Sequence, residues 1–323
     1  MRKFLLKIVY IFIIPIVLLM YPADYVISYY LSESRSYAGG EIGVWKDVYS
    51  GNINADLFIY GSSRAWVQIS PKIIQDSLNI SSYNFGMDGH NFWLQYLRHK
   101  EILKFNKKPK YIIMSLDVFT LQKRKDLFNY QQFLPFMLWN HDIKKYTSSY
   151  VGFSLYDYYL PLIRYMHKPG VLYAAFKSFI GYKPDFERIK GYKGMERVWN
   201  NDLDKAKSKL AFYKIKFDPA TVVLFEQFIN ECNSNGIKLI LVYSPEYIEG
   251  QNYVTNRGEV ISKYKYFANK YNLIFIDYSQ DKISMQKQFF YNSEHLNKKG
   301  SEIFTNELVR DLKARMHNYV YTK

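Results

Sequence analysis

Short, continuous apolar runs alternate with longer stretches of helical period along most of this chain. ADLFIYG (55–61), SSYNFG (81–86), KYIIMSLD (110–117), IKLILVYSP (237–245) and LIFIDYS (273–279) have the length and bounding turn residues of strands covered on both faces. Between them, Ser70 followed by Pro71 starts one helix. Residues 91–105 and 259–271 give two more, and 220–236 gives a fourth, stopped at Gly236. A last helix is expected over about 299–315. Strand and helix in alternation predict an α/β domain with a central, mainly parallel five-stranded sheet over 55–323.

Two parts depart from that rhythm. Residues 32–54 carry Gly39, Gly40 and Gly51 in a weak apolar pattern and read as a linker. Residues 121–209 hold FNYQQFLPFMLWNH, SLYDYYLPLIRYMHKPG and VLYAAFKSFIGY, then a polar run from 182. This span is expected to be an aromatic-rich helical insertion: a lid, a side wall, a satellite core or a layer against a membrane surface.

The chain begins with Arg2, Lys3 and Lys7 around an apolar run that extends to Tyr21. Spanning a bilayer takes roughly 20 helical residues, and Tyr21-Pro22-Ala23-Asp24 is a poor cleavage site. Residues 1–31 are therefore expected to be an uncleaved transmembrane helix. Basic residues precede the run and Asp24, Glu33 and Glu41 follow it. That order puts the N-terminus in the cytoplasm and the C-terminal domain in the periplasm or outside the cell, on a single-pass protein of the cytoplasmic membrane.

Composition adjusts this picture only slightly. A net charge of +15 favours anionic neighbours. The basic residues are dispersed, without zinc-finger spacing, a phosphate loop or an arginine-rich arm, so no nucleic-acid partner is expected. The single cysteine, Cys232, excludes an internal disulfide. No metal-ligand spacing is present, and neither metal nor cofactor is expected. Aromatics at 19% suit a surface that binds flat, polar rings such as sugars.

Candidate chemistry gathers just past the strand ends, where α/β sheets bind ligands. Gly61-Ser62-Ser63 follows the first strand, YNFGMDGHN (83–91) covers the second, Ser115-Leu116-Asp117 ends the third, and HLN at 295–297 precedes the last helix. In this order the four blocks resemble the GDSL/SGNH hydrolases. The resemblance covers about half of the chain and implies a three-layer, flavodoxin-like fold. It makes Ser63 the nucleophile, His295 the base and Gly89 an oxyanion donor, with Gly86 shaping the turn. Asp117 stands where the family has its oxyanion Asn, and Asn292 where it has the acid three residues before the base. Glu294 and Asp277 are nearby carboxylates that could supply that acid. Asp117 could instead orient His295 or pair with Arg64.

Arg64, Gly86, His90 and Glu246 complete the expected site as substrate-contacting residues. Arg64 either grips an anionic group or braces backbone carbonyls, His90 either acts or packs its loop, and Glu246 either lines the cleft or is solvated. With an anchor in front, the resemblance extends to membrane-attached acyl- and acetyltransferase relatives of the cell envelope. It implies a serine-dependent O-acyl transferase or esterase acting on cell-surface polysaccharide or another envelope polymer, with a membrane-bound acyltransferase as a conceivable partner. A degenerate, non-catalytic envelope protein that binds polysaccharide or such a partner is the alternative.

Overall fold

Five parallel strands form one sheet in the order β2-β1-β3-β4-β5: β1 (Leu57–Tyr60), β2 (Ser82–Asn84), β3 (Tyr111–Leu116), β4 (Lys238–Tyr243) and β5 (Ile274–Asp277). The register is continuous, with Ile59 opposite both Asn84 and Ile113, and Val242 opposite Ser115 and Ile276. The computed structural model describes the chain apart from residues 1–3, 5, 6, 8, 9, 12, 13, 184, 185 and 321–323. The chain divides into two units, Met1–Lys46 with Lys125–Glu187, and Asp47–Arg124 with Arg188–Lys323. The sheet belongs to the second.

Helices cover both faces of the sheet because alternate strand residues point to opposite sides. Leu57, Ile59, Ile113, Ile240 and Val242 pack with Ala65, Ile74, Phe304 and Leu308, from the helices Ser63–Gln68, Pro71–Leu78 and Lys298–Val320. On the other face Tyr60 meets Phe228, and Phe225 meets Phe92 and Phe267. These residues come from Phe92–Phe105, Pro219–Ser234 and Arg257–Tyr271. Chain order reverses between β1 and β3, which share a long edge but lead to opposite halves of the sheet. That is the switch point at which open α/β sheets leave a crevice.

The stretch 32–54 is not a loose linker. Helix Glu41–Ser50 fills it and buries Ile42, Val44, Trp45 and Val48, spaced to share one face, and Trp45 Nε1 donates to Gln132 at 2.9 Å. The insertion is also shorter than its aromatic sequence suggested. Residues 188–209 join the sheet unit, with Lys190 C=O accepting from Asn84 N–H and Leu203 entering the core.

The first unit is stapled by a buried pair. Arg164 gives both terminal nitrogens to Asp24 at 2.7 and 2.8 Å, Nε to Leu134 C=O, and a further bond to Ser28. Asp24 and Arg164 are 2% and 1% exposed, and a desolvated pair holds only when its remaining hydrogen-bonding capacity is also met. Much of the predicted anchor's first thirteen residues lies outside the described residues. The rest belongs to helix Ile14–Glu33, which packs against Pro169–Phe179. Among the described residues, no helix is long and apolar enough to cross a membrane.

One fully buried side chain ties β2 to the helix after β1. Asn84 donates to the carbonyls of Ala65 and Ile69, both at 2.8 Å, and accepts from Gly86 N–H at 2.9 Å. Asn84→Ala leaves Gly86 N–H and Ile69 C=O without the partner they have here, while Ala65 C=O keeps the Ile69 N–H. We expect a loss of about 3 kcal/mol, read as a lower urea midpoint at unchanged m-value.

Candidate active site

The turn after β1 is unusually tight. Gly61 has φ 143°, and a Cβ there would lie 2.7 Å from Ser115 O. Gly86 comes so close from below that a Cβ would sit 2.5 Å from Trp66 N. These two glycines let the chain turn at once into helix Ser63–Gln68, with Ser62 as its N-cap and Ser63 as its first residue.

His295 arrives from the far end of the sequence on a short loop closed by Tyr291 N–H to His295 C=O (3.0 Å) and Asn297 N–H to Phe289 C=O (2.8 Å). Gln68, at the end of the serine's helix, donates to Glu294 C=O at 3.0 Å and ties that loop down. Ser63 Oγ and His295 Nε2 are 2.8 Å apart. Behind the ring, Asn292 Oδ1 lies 2.9 Å from Nδ1. The same oxygen accepts from the backbone N–H of Glu294 (3.0 Å) and of His295 (2.9 Å). Two backbone donors on one atom identify it as the amide oxygen. Nδ1 therefore carries the hydrogen, and the Nε2 lone pair faces Ser63.

Burial, followed by the charges of Arg64 and Arg197, lowers the His295 pKa to about 3, so the ring is neutral at ordinary pH. Tyr291 stacks on it at 5.3 Å and 10°. Ser63, Gly89, His90, Asp117, Glu246 and Glu294 all line a cavity of about 540 Å³, together with Phe119 stacked on Tyr213. Neither the Ser63 nor the Gly89 N–H donates to any group among the described residues, leaving two donors at the cavity wall.

The structure distinguishes between several of the expected roles. Asp117 orients neither His295 nor Arg64 by a hydrogen bond. Its carboxylate accepts from Ser62 Oγ at 2.6 Å and from Phe119 N–H at 2.8 Å, which links the ends of β1 and β3 across the switch point. Arg64 is 4% exposed and braces the carbonyls of Ser244 and Pro245 while pairing with Glu246 at 3.2 Å. Glu246 is not solvated; Arg257 at 2.7 Å and Tyr243 at 2.9 Å hold it from the other side. Gly86 supports the serine's helix and takes no part in the wall. His90 is buried at the wall, with its N–H on Met87 C=O. Asp277 accepts from Ser279 N–H and has no bond to the histidine.

Gln68 and Ser62 contribute through partners far away in sequence, Glu294 and Asp117, which no local pattern announces, and Tyr291 contributes by stacking on His295 four positions on. Glu294 lines the cavity instead of backing the ring. Burial, reinforced by Glu246 and Asp117 against Arg64, raises its pKa to about 7. Among the described residues, no group of three or more His, Cys, Asp or Glu side chains is arranged to hold a metal ion.

No family model matches the chain, and no curated protein matches its sequence. Among solved structures, a presumed acylhydrolase from Bacteroides fragilis aligns over 82% of this chain and 89% of its own, at 12% identity and a TM-score of 0.35. A likeness at that level bears no weight on the chemistry.

An imidazole of ordinary pKa, about 6.5, would impose an acid limb there on kcat/KM. Here the base form persists far below that pH, while Glu294 changes charge near 7. A pH profile of ester hydrolysis should inflect near 7, and Glu294→Gln should flatten it. An inflection near 6.5 that survives Glu294→Gln would show His295 titrating normally.

Proposed function

We propose that this chain is a serine-dependent O-acyl esterase or transferase, SGNH-like in its site, that acts on acyl esters of an envelope polysaccharide. The observation that carries the reading is the 2.8 Å contact of Ser63 Oγ with His295 Nε2, with the ring tautomer set by Asn292.

In this mechanism Nε2 takes the Ser63 proton as Oγ bonds to the ester carbonyl carbon. The Ser63 and Gly89 N–H groups hold the resulting oxyanion. Nε2 then gives its proton to the departing alkoxide, leaving an acyl-Ser63 and a free alcohol. Water or a sugar hydroxyl attacks the acyl carbon, its proton passes to Nε2, and Ser63 is released as the hydroxyl. Asp117 accepts hydrogen bonds and donates none, so this oxyanion hole has two donors. Transfer to a sugar is favoured over hydrolysis if residues 1–31 are an anchor that holds the site beside nascent polymer, and a membrane-bound acyltransferase is then the natural donor of acyl groups.

Asn292 and Asp117, each standing where the resembled family has a different residue, support a second reading. It is a non-catalytic module that binds envelope polysaccharide or a membrane acyltransferase.

A fluorophosphonate probe should label the purified chain, and Ser63→Ala should abolish labelling and lower ester turnover by roughly 10⁶-fold. Asn292→Asp should raise kcat by at least about tenfold, since a carboxylate stabilises imidazolium better than an amide. Failure of the wild type to label would favour the binding module. Acetate release measured with and without oligosaccharide acceptor separates transferase from esterase.

A further inference from the structure

Most exposed large apolar side chains among the described residues belong to the unit formed by Met1–Lys46 and Lys125–Glu187. Helix Ile14–Glu33 turns Asp24, Ser28 and Leu31 inward and leaves Leu18, Tyr21, Tyr25 and Tyr29 outward, at spacings of three and four. Aromatic contacts link this helix to the insertion at two points. Tyr21 stacks on Trp139 at 5.4 Å, and Tyr30 meets Phe179 edge-on at 5.0 Å. Helix Pro169–Phe179 and the turn after it add Tyr173, Phe176, Ile180 and Tyr182, each more than half exposed.

Lysines border this apolar surface. Lys144 Nζ bonds Tyr159 OH at 2.7 Å, and Lys177 lies over the rings of Tyr173 and Tyr182 at 4.5 and 4.8 Å. Arg35, Tyr173, Lys177, Tyr182 and Lys183 line a cavity of about 570 Å³ within the same unit. Both acids of its wall are engaged, Glu187 by Arg35 and Glu33 by Lys46, so Lys177 and Lys183 set its sign. Aromatic and aliphatic side chains bordered by lysines match the layering of a bilayer's interface, apolar below and anionic at the headgroups.

We propose that this unit seats in the headgroup layer of an anionic phospholipid bilayer, its aromatic surface among the upper acyl chains and a lipid phosphate in the Lys177–Lys183 cavity. The contact is additional to whatever residues 1–13 do, and it is independent of the chemistry at Ser63. A second copy of the chain is the competing occupant of the apolar surface.

The test uses the full chain in nanodiscs made with brominated phosphatidylcholine, with and without phosphatidylglycerol. Trp139 is 56% exposed on this surface. Its emission should be quenched by the bromines, and Trp139→Phe should remove that quenched component. Lys177→Glu with Lys183→Glu should abolish the deepening of quenching by phosphatidylglycerol. Two outcomes overturn the proposal: Trp139 emission that ignores the bromines while the chain stays on the disc, or two copies per disc with unquenched Trp139. The first means that attachment runs through the N-terminal segment alone, and the second that the surface is a self-interface.

Discussion

One side-chain oxygen determines what the rest of this site can do. Asn292 Oδ1 is pinned by two consecutive backbone N–H groups, so it cannot swap places with its amide nitrogen. The imidazole must then keep its hydrogen on Nδ1 and offer a lone pair to the serine. An Asn here normally carries the risk of the wrong tautomer, which ruins a base. This loop removes the ambiguity with main chain alone and without a carboxylate. What it does not supply is a counter-charge for imidazolium, while burial and the charges of Arg64 and Arg197 lower the pKa of His295.

The surrounding architecture serves the same geometry. At the switch point, Ser62 and Asp117 tie the ends of β1 and β3 together, and Gly61 and Gly86 admit the backbone crowding that puts Ser63 at the start of a helix. Arg64, next in sequence, borders the same cavity but is buried in a cluster with Glu246, Arg257 and Tyr243 at the end of β4. Ser63 is the candidate nucleophile of that cavity, and its neighbour ties the helix to the carbonyls of Ser244 and Pro245.

The sheet was legible because every strand is a continuous apolar run with turn residues at its ends, and Ser70-Pro71 marked a helix start that the capping bond from Ile73 N–H bears out. Ser63 and His295 were legible as blocks at strand ends. Glu246 was legible as a residue of the cleft but not as a buried one, since the two arginines that pair with it lie 182 positions before and 11 after. Helix Glu41–Ser50 was missed because glycines flank it and its apolar face is completed by Gln132 and Phe133 from a distant segment. The grouping of 125–187 with the N-terminal helix rests on Asp24 and Arg164, 140 positions apart, a pairing without a local signature.

The base reaches the serine across 232 positions, and the final helix fastens that connection through Thr305, which receives Ser70 N–H and donates to Gln68 C=O. At ribosomal speeds of roughly 5–20 residues per second, a nascent chain carries the Ser63 hydroxyl for some tens of seconds before His295 is made. The Ser63–His295 pair can therefore come together only once nearly the whole of the sheet unit has been made.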